Sequence, residues 1–257
     1  MIKRKSAREI ELMRKAGRIA AAARQIAGSM VTVGATTLSI DRAVCDFLRS
    51  KGAAPAFLGY RGFPANICIS VNEQVIHGIP SQRRLDNGDV VSIDIGASKE
   101  GYIGDCAATF IAGTGSADSI RLIEITRQCF YEGLRYARVG YRVSDISRAI
   151  QSHAEKNGFS VVRDYVGHGV GSNVHEPPEV PNFVVTPRKH ADPRLLSGMT
   201  LAVEPMVNTG GAEVRVIGDD WTVVTVDGKN SAHYENTILI TQGEPEILTF
   251  CEENPVK

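Results

Sequence analysis

Five side chains spread over the middle and end of the chain are of the types that bind metal ions. They are Asp94, Asp105, His168, Glu204 and Glu235. The four carboxylates interrupt or border apolar runs, such as Val-Val-Ser-Ile-Asp-Ile-Gly at residues 90–96. An ionised carboxylate taken out of water costs on the order of several kcal/mol unless a positive charge compensates it, and a metal ion is the strongest local compensator. The pattern therefore predicts a metal site.

Strand periodicity indicates that these carboxylates share a face. Side chains alternate along a strand, so in a strand at 90–95 Asp94 lies opposite the neighbouring valine and isoleucine side chains. The same alternation separates Glu204 from Leu201 and Val203. Each acid therefore faces away from the apolar packing surface, and a common acidic face is expected between the strands.

The number and type of donors favour two ions over one. A catalytic zinc ion commonly keeps about three protein ligands and an open position. Four hard oxygen ligands suit two ions roughly 3.5–4 Å apart, bridged by carboxylates, as in hydrolytic aminopeptidase-type sites. Each residue alone has a simpler explanation, because an acid on a strand can face water and His168, in Gly-His-Gly-Val-Gly, can be a loop histidine. The combination favours a dinuclear site.

The composition is that of a globular protein. The 257 residues are 43% apolar and 23% charged, and 29 basic side chains balance 29 acidic ones, which argues against broad binding of nucleic acid. Apolar runs stay short of the roughly 20 residues that span a bilayer, and no secretory leader is visible, so we expect a cytoplasmic protein that does not bind membranes. Five cysteines without a Cys-x-x-Cys pair are expected to be reduced thiols.

Helical and strand patterns occur twice in the same order. The first half has a capping box, Ser6 with Glu9, before a helix predicted to end at Gly28, and then a helix at about 39–51. Strands are predicted at 66–71, 90–95 and 102–111, with a hairpin loop at 96–101. In the second half, helices are predicted at about 118–137 and 144–157, with Ser144 as N-cap, and strands at 199–207, 221–226 and 236–241.

This repetition predicts an α+β fold with two related halves. We expect one catalytic domain over residues 1–257, with pseudo-repeat halves at about 1–112 and 116–250 and no low-complexity linker between them. Each half ends in strands that carry two of the acids. The halves are therefore expected to face one another across the metal site.

Short motifs around these residues occur in a distinctive order. They include Gly-Tyr-Arg-Gly-Phe-Pro (59–64), His-Gly-Ile-Pro (77–80), Gly-His-Gly-Val-Gly (167–171), Val-His-Glu-Pro-Pro (174–178) and Glu-Pro-Met (204–206). Their order and spacing, over nearly the whole chain, resemble those of type I methionine aminopeptidases of the short, bacterial type. The resemblance implies the pita-bread fold of creatinases and aminopeptidases, in which two pseudosymmetric halves with an antiparallel sheet and flanking helices enclose a dinuclear metal centre.

The resemblance also implies a role for each metal ligand. Asp94 would bind one ion in a bidentate manner, Asp105 and Glu235 would bridge both, and His168 and Glu204 would complete the other. Glu204 would also shuttle a proton for a metal-activated water that attacks the first peptide bond. Two divalent ions are implied, and Co(II), Mn(II), Fe(II) and Zn(II) all suit this donor set.

Two histidines outside the ligand set are implied to act on the substrate. His175 would hydrogen-bond near the scissile carbonyl, and His77 would contact the peptide beyond the cleaved bond. Without the resemblance both would be loop histidines, and the single tryptophan would be ordinary core. The pocket for the methionine side chain would include Tyr60, Phe63, Cys68, His77 and Trp221.

Other positions bear on the ions or on specificity. Asn72 and Ser231 match family positions that help to hold a monovalent cation. Phe57 and Val174 depart from the common cysteine and aromatic residue, so the pocket rim is expected to differ in shape. Cys106 stands where threonine is common, and alternation directs it away from the metals into the core.

Two other functions remain open at this stage. Xaa-Pro aminopeptidases and prolidases share the ligands and fold but usually carry an additional N-terminal domain, for which this chain has no room. A peptide- or RNA-binding relative without metals would have lost ligands, whereas all five are present. The expected partners are therefore nascent polypeptide N-termini near the ribosome, with a small second residue, and the protein is expected to be a monomer.

Overall fold

Two helix pairs, each followed by antiparallel strands, make up the described part of the chain, residues 2–185 and 192–250, in a computed structural model. Among these residues the helices are α1 (Ala7–Ser29), α2 (Thr37–Ser50), α3 (Ala117–Leu134) and α4 (Val143–Lys156), with a 3₁₀ turn at Tyr60–Gly62. The strands are β1 (Ala54–Pro55), β2 (Cys68–Val71), β3 (Gln74–Ile76), β4 (Val90–Lys99), β5 (Tyr102–Ile111), β6 (Ser160–Val161), β7 (Gly167–Gly169), β8 (Glu176–Val180), β9 (Thr200–Val203), β10 (Met206–Asn208), β11 (Val214–Val216), β12 (Val223–Thr225), β13 (Ser231–His233), β14 (Glu235–Leu239) and β15 (Glu246–Ile247).

Helix α1 begins where the sequence predicts. Glu9 Oε2 accepts the Ser6 N–H at 2.7 Å and Ser6 Oγ accepts the Glu9 N–H at 3.4 Å, which completes the capping box. The predicted end at Gly28 is one residue early, because α1 continues to Ser29. Gly28 instead makes room for the ring of Phe110, which lies where a side chain at this position would stand.

The central sheet places three of the predicted ligands, Asp94, Asp105 and Glu235, on one face. Its strands run in the order β1-β4-β5-β14-β9-β7-β8, with β2 also paired to β4 and β15 to β14. Asp94 pairs with Ala107, and Ala107 pairs with Glu235, so the two acids lie in one row across β4, β5 and β14. Paired residues in an antiparallel ladder share a face, and so do residues two apart. Asp105, two residues before Ala107, therefore joins them.

The strands of the second half bring the other two ligands to the same face. Thr237, two residues after Glu235, pairs with Ala202, and Ala202 pairs with His168. Glu204 comes two residues after Ala202, directly beyond the end of β9. The sheet register thus brings Asp94, Asp105, His168 and Glu235 to one face, and Glu204 follows directly beyond β9.

The first hairpin is tighter than the sequence predicts. The loop expected at 96–101 is wrong, since β4 continues to Lys99 and β5 begins at Tyr102. The turn consists of Glu100 and Gly101, whose φ angles are 51° and 82°. The longer hairpin extends the pairing between the two strands that carry Asp94 and Asp105.

Two predictions in the second half are also wrong. The strand expected at 199–207 is two strands, β9 and β10, separated at Glu204 and Pro205, because proline has no N–H for a sheet ladder. The N-cap expected at Ser144 lies instead at Arg142, whose N–H donates to Asp145 at 2.9 Å. The other predicted helices and strands agree with the structure to within about three residues.

The face of the sheet opposite the acids is apolar. Ile93, Ile95 and Cys106 are buried there with the alanines of α1 and residues of α2, so Cys106 lies in the core as expected. Cys45, Cys68, Cys106 and Cys129 are buried free thiols, and Cys251 lies outside the described residues. No helix in the described ranges is long and apolar enough to cross a membrane.

Contact between α1 and β5 depends on a glycine next to Asp105. A Cβ at Gly104 would stand 2.5 Å from the backbone N and Cα of Gly17 in α1. We expect Gly104→Ala to lower the free energy of unfolding by about 1–3 kcal/mol, the usual cost of overpacking. Gly218→Ala is the matched control, because nothing lies within 4 Å of its Cβ position. Urea unfolding of the metal-free proteins measures both, and equal stabilities would contradict the proposed packing constraint.

Candidate metal centre

The five predicted ligands line one cavity of about 300 Å³. Ligand atoms of Asp105, His168 and Glu235 lie within 4.8 Å of one another. His168 Nε2 lies 3.3 Å from Glu204 Oε1 and 4.0 Å from Asp105 Oδ2. The sheet therefore assembles an oxygen-rich donor set with one imidazole beside it.

Several of these donors lack a protein partner. Asp94 Oδ1, Asp105 Oδ1 and Glu235 Oε1 are buried oxygens without a hydrogen bond to the described residues. No lysine or arginine in the described ranges forms an ion pair with any of the four carboxylates. Hard oxygen donors in this state fit divalent cations, which would supply the missing positive charge.

Burial controls the protonation of the cluster. It raises the pKa of Asp94 to about 7. Burial, followed by the charges of neighbouring carboxylates, raises the pKa of Asp105, Glu204 and Glu235 well above the usual range. Burial and the neighbouring His175 lower the pKa of His168 to about 3. Without cations the cluster thus resists full ionisation.

A backbone contact orients the imidazole ligand. His168 Nδ1 lies 2.9 Å from the carbonyl oxygen of Gly169 and can donate its proton there. That tautomer leaves Nε2 unprotonated and directed toward the carboxylates, as second-sphere hydrogen bonds commonly do for metal-binding histidines.

The predicted substrate residues line the same cavity. They are Tyr60, Phe63, Cys68, His77, His175 and Trp221, together with Phe57. The Tyr60 hydroxyl lies 2.8 Å from His175 Nδ1, and the two rings stack with centroids 5.3 Å apart. The Phe63 and Trp221 rings meet edge to face at 5.2 Å. Val174, which is buried, packs in the adjoining apolar cluster.

The strand that follows His175 is fixed by the N-terminal segment. Lys5 Nζ lies 2.7 Å from Glu176 Oε2, and each side chain is only 5% exposed. The Lys5 N–H donates to the carbonyl of Gly198 at 2.6 Å, and Glu176 Oε1 accepts the N–H of Asn173 at 3.3 Å. This buried ion pair holds residues 173–176, which include His175, against the body of the protein.

The predicted cation residues are neighbours outside this cavity. The Ser231 N–H donates to the carbonyl of Asn72 at 2.9 Å, and Asn72 Oδ1 accepts the N–H of Val90 at 2.9 Å. Asn72 has a φ of 60°, which turns the chain between β2 and β3. Their role in holding a monovalent cation stays a prediction.

Sequence reasoning missed five residues at the site. Four of them line the cavity, namely Arg61, from the short 3₁₀ turn, and Asp164, Tyr165 and Val166, which lie outside the helices and strands. His233 is buried beside two of the ligands, with Nε2 3.8 Å from Glu204 Oε2 and 3.9 Å from Glu235 Oε2. No sequence pattern pointed to it, because His233 and Glu235 belong to different strands, β13 and β14, so the alternation within a strand does not connect them.

Comparison with known proteins agrees with this donor set. The sequence matches metallopeptidase family M24 over residues 11–242. The chain belongs to this family. Metallopeptidase membership and the donor set together establish that the protein uses divalent metal.

Similar proteins cover the chain from end to end. A methionine aminopeptidase of Clostridium perfringens is 51% identical over 252 residues, which are 98% of this chain and 100% of that protein. Methionine aminopeptidase 1 of Bacillus subtilis is 49% identical, over 97% of this chain and 99% of its own length. The crystal structure of a Thermotoga maritima methionine aminopeptidase superposes with a TM-score of 0.92 at 42% identity, covering 97% of this chain and 99% of that one.

A more distant structure shares the fold alone. The prolidase of Pyrococcus furiosus superposes with a TM-score of 0.79 at 24% identity, over 97% of this chain and 66% of that one. The pita-bread fold with its antiparallel sheet and flanking helices is therefore confirmed. The division into halves at 1–112 and 116–250 stays a prediction.

The raised pKa of Asp94 predicts a pH-dependent effect of its removal. The folded protein keeps this proton to about pH 7, whereas the unfolded chain loses it near the ordinary value of 3.8, so an ionised Asp94 destabilises the metal-free fold as pH rises. We expect Asp94→Asn to stabilise chelator-treated protein at pH 8, by on the order of a few degrees in Tm, and to stabilise it less at pH 5, where only part of the penalty has developed. Removal of the Asp94 charge also relieves its neighbours, because that charge, in addition to burial, raises the pKa of Asp105, Glu204 and Glu235.

Excess Mn(II) provides the control for this prediction. With metal present, Asp94→Asn should lower Tm instead of raising it, because the variant has lost a metal ligand whereas the parent is stabilised by the free energy of metal binding. Differential scanning calorimetry at both pH values measures the change. A destabilised metal-free variant at pH 8 would contradict the assignment of Asp94 to a repulsive cluster.

Proposed function

We propose that this protein removes the N-terminal methionine from nascent proteins and peptides by metal-dependent hydrolysis of the first peptide bond. The observation that carries the proposal is the convergence of five metal donors on one sheet face beside an apolar, aromatic pocket. Full-length identity of 49–51% to methionine aminopeptidases of two bacteria supports the same activity. The protein is then a methionyl aminopeptidase, a metal-dependent exopeptidase.

The donor set fits two divalent ions. Asp94 would hold one ion, Asp105 and Glu235 would bridge both, and His168 and Glu204 would complete the second. When bound, the ions supply an activated water at neutral pH and polarise the carbonyl of the scissile bond. One imidazole among several carboxylates suits Co(II), Mn(II), Fe(II) or Zn(II), so cellular availability selects among them.

Glu204 is the proposed proton carrier. Its carboxylate lies directly beyond β9 at the cavity wall, with Oε1 3.3 Å from His168 Nε2. Without cations, burial and the charges of Asp105 and Asp94 raise its pKa well above the usual range. Bound cations would favour its ionised form, which could then accept a proton from the attacking water. The same group can return that proton to the departing amine.

His175 and His77 are the proposed substrate contacts. His175 stacks on Tyr60 and shares a hydrogen bond with its hydroxyl, so its Nε2 is directed by a fixed ring. Burial, followed by the charge of His175, lowers the pKa of His77 to about 4. Both rings would be neutral at pH 7 and able to donate to the peptide.

The pocket suits a methionine side chain. Phe63 and Trp221 present ring edges and faces, and Cys68 adds a buried thiol to the wall. A thioether offers polarisable surface without a need for strong hydrogen bonds, which such a wall accommodates. At the rim of the pocket, Phe57 is bulkier than the cysteine that is common at this position, and Val174 is smaller than the common aromatic residue. The shape of the rim would therefore differ among relatives, whereas the preference for methionine would not.

The expected substrates, cellular location and assembly state follow from the same activity. The substrates would be nascent chains with a small second residue, met near the ribosome in the cytoplasm by a monomeric enzyme. Asn72 and Ser231 would help to hold a monovalent cation that stabilises the adjoining loops. One catalytic domain with pseudo-repeat halves would suffice, because both halves supply ligands.

Metal-dependent methionine release is the first test. We expect chelator-treated protein to be inactive on a Met-Ala-Ser peptide and to regain activity with Mn(II) or Co(II), because the buried carboxylates cannot activate water alone. Mass spectrometry of the products measures release. An Ala-Pro-Ala peptide runs in parallel: its cleavage without cleavage of Met-Ala-Ser would assign the protein to Xaa-Pro peptidases, and silence on both would refute a peptidase.

The role of His175 is tested separately from metal binding. We expect His175→Ala to lower kcat by about 10²–10³-fold, the usual effect of losing one transition-state hydrogen-bond donor, while the metal content stays as in the parent. His153→Ala is the matched control, since His153 lies on α4 and contacts Gln128 away from the cavity. Elemental analysis and steady-state kinetics measure both quantities. A large loss of bound metal would disprove the assignment.

A further inference from the structure

The imidazole of His233 lies at the candidate metal centre, but His233 is not one of the proposed ligands. The side chain is 2% exposed, and Nε2 is buried without a hydrogen-bond partner among the described residues. Nε2 lies 3.8 Å from Glu204 Oε2 and 3.9 Å from Glu235 Oε2. A buried polar nitrogen without a partner is rare in folded proteins, and this one faces two acceptors.

Glu204 lies between two imidazoles. Its Oε1 is 3.3 Å from His168 Nε2, and its Oε2 is 3.8 Å from His233 Nε2. His168 is one of the donors within 4.8 Å of one another, together with Asp105 and Glu235. Each oxygen of Glu204 therefore has a different imidazole as its neighbour, one from a proposed ligand and one from His233.

The backbone of His233 is fixed from an adjacent strand. Thr109 Oγ1 accepts the His233 N–H and donates to its carbonyl, both at 2.9 Å. Ser92 Oγ lies 2.8 Å from the same Thr109 hydroxyl, and His233 pairs with Met206 in the ladder between β13 and β10. These contacts fix the backbone from which the buried ring extends toward Glu204.

We propose that His233 is a positioning residue for Glu204, donating its Nε2–H to Oε2 so that Oε1 is presented to the cavity. The proposal rests on the proposed function, in which Glu204 carries the proton. The present distance exceeds the ~2.7–3.2 Å of an N–H···O hydrogen bond, but the terminal torsion of glutamate is soft and can close the gap. Glu235 Oε2, at 3.9 Å, is the alternative acceptor.

Three variants separate this role from simple packing. His233→Leu removes the donor and keeps the volume, His233→Gln places an amide nitrogen near the position of Nε2, and His233→Asn places one near Nδ1 instead. Tyr234→Phe is the matched control, because Tyr234 lines a separate cavity with Arg24 on the other side of the sheet. Circular dichroism and urea unfolding of each metal-free protein establish that it is folded.

The readouts are Co(II) affinity by calorimetry, the visible Co(II) spectrum, and kcat and KM for a Met-Ala-Ser peptide. We expect His233→Leu to weaken Co(II) binding and to lower kcat by about 10–100-fold, the usual range for groups that orient metal ligands, with KM and the Co(II) band positions unchanged. His233→Gln should recover most of both losses, and His233→Asn should not. Tyr234→Phe should match the parent.

Other results would overturn the proposal. A Leu variant with the Co(II) affinity and kcat of the parent would show that His233 only fills space. A shift of the Co(II) bands in both the Leu and Gln variants would make His233 a direct metal ligand. If His233→Gln and His233→Asn recovered Co(II) affinity and kcat equally, the position of the donor would not matter, which would contradict a hydrogen bond from Nε2. If the parent itself fails to release methionine, the proposed function is wrong, and the Co(II) measurements still decide whether His233 orients the carboxylates.

Discussion

Repulsion among four buried carboxylates is the constraint around which this structure is organised. At an effective dielectric constant near 20, two like charges about 4 Å apart repel by roughly 4 kcal/mol, and burial adds the loss of hydration. A chain left to itself would separate such groups or keep them protonated, as the raised pKa values of Asp94, Asp105 and Glu204 indicate. The fold must therefore hold them together by forces that act elsewhere, until cations neutralise them.

The sheet supplies those forces from both of its faces. Its register places the acids in adjacent rows, and its opposite face is covered by α1 and α2. Thr237 Oγ1 accepts the N–H of Asp105 at 3.0 Å and donates to its carbonyl at 2.9 Å, which ties β5 to β14 between the ligands. From behind, Arg24 of α1 donates to the carbonyl of Glu235 at 3.0 Å and to that of Ala107 at 3.3 Å. Every ligand strand is thus fixed without using the carboxylates themselves.

The long helices and strands and the five ligands could be predicted from the sequence. Long periodic elements such as α1 and β5 were found because their apolar positions repeat and Ser6 gives a clear cap. The five ligands stood out because charged residues rarely occur within apolar strands. The three-residue strands around His168 and His233 were not predicted, since so short a segment has no measurable period, and the break after β9 at Pro205 depends on the backbone donors that proline lacks. His233 was missed because a lone histidine gains meaning only from its neighbours in space.

The ion pair between Lys5 and Glu176 gives the start of the chain an unusual status. Leading residues of most domains are loosely held and tolerate deletion or extension. Here residue 5 is buried and bonded through both its side chain and its backbone, and its ion-pair partner, Glu176, directly follows His175 and begins β8. Trimming the chain by six residues would take away the α1 cap at Ser6 together with this anchor. The segment just before α1 is therefore part of the structure that holds His175 in place.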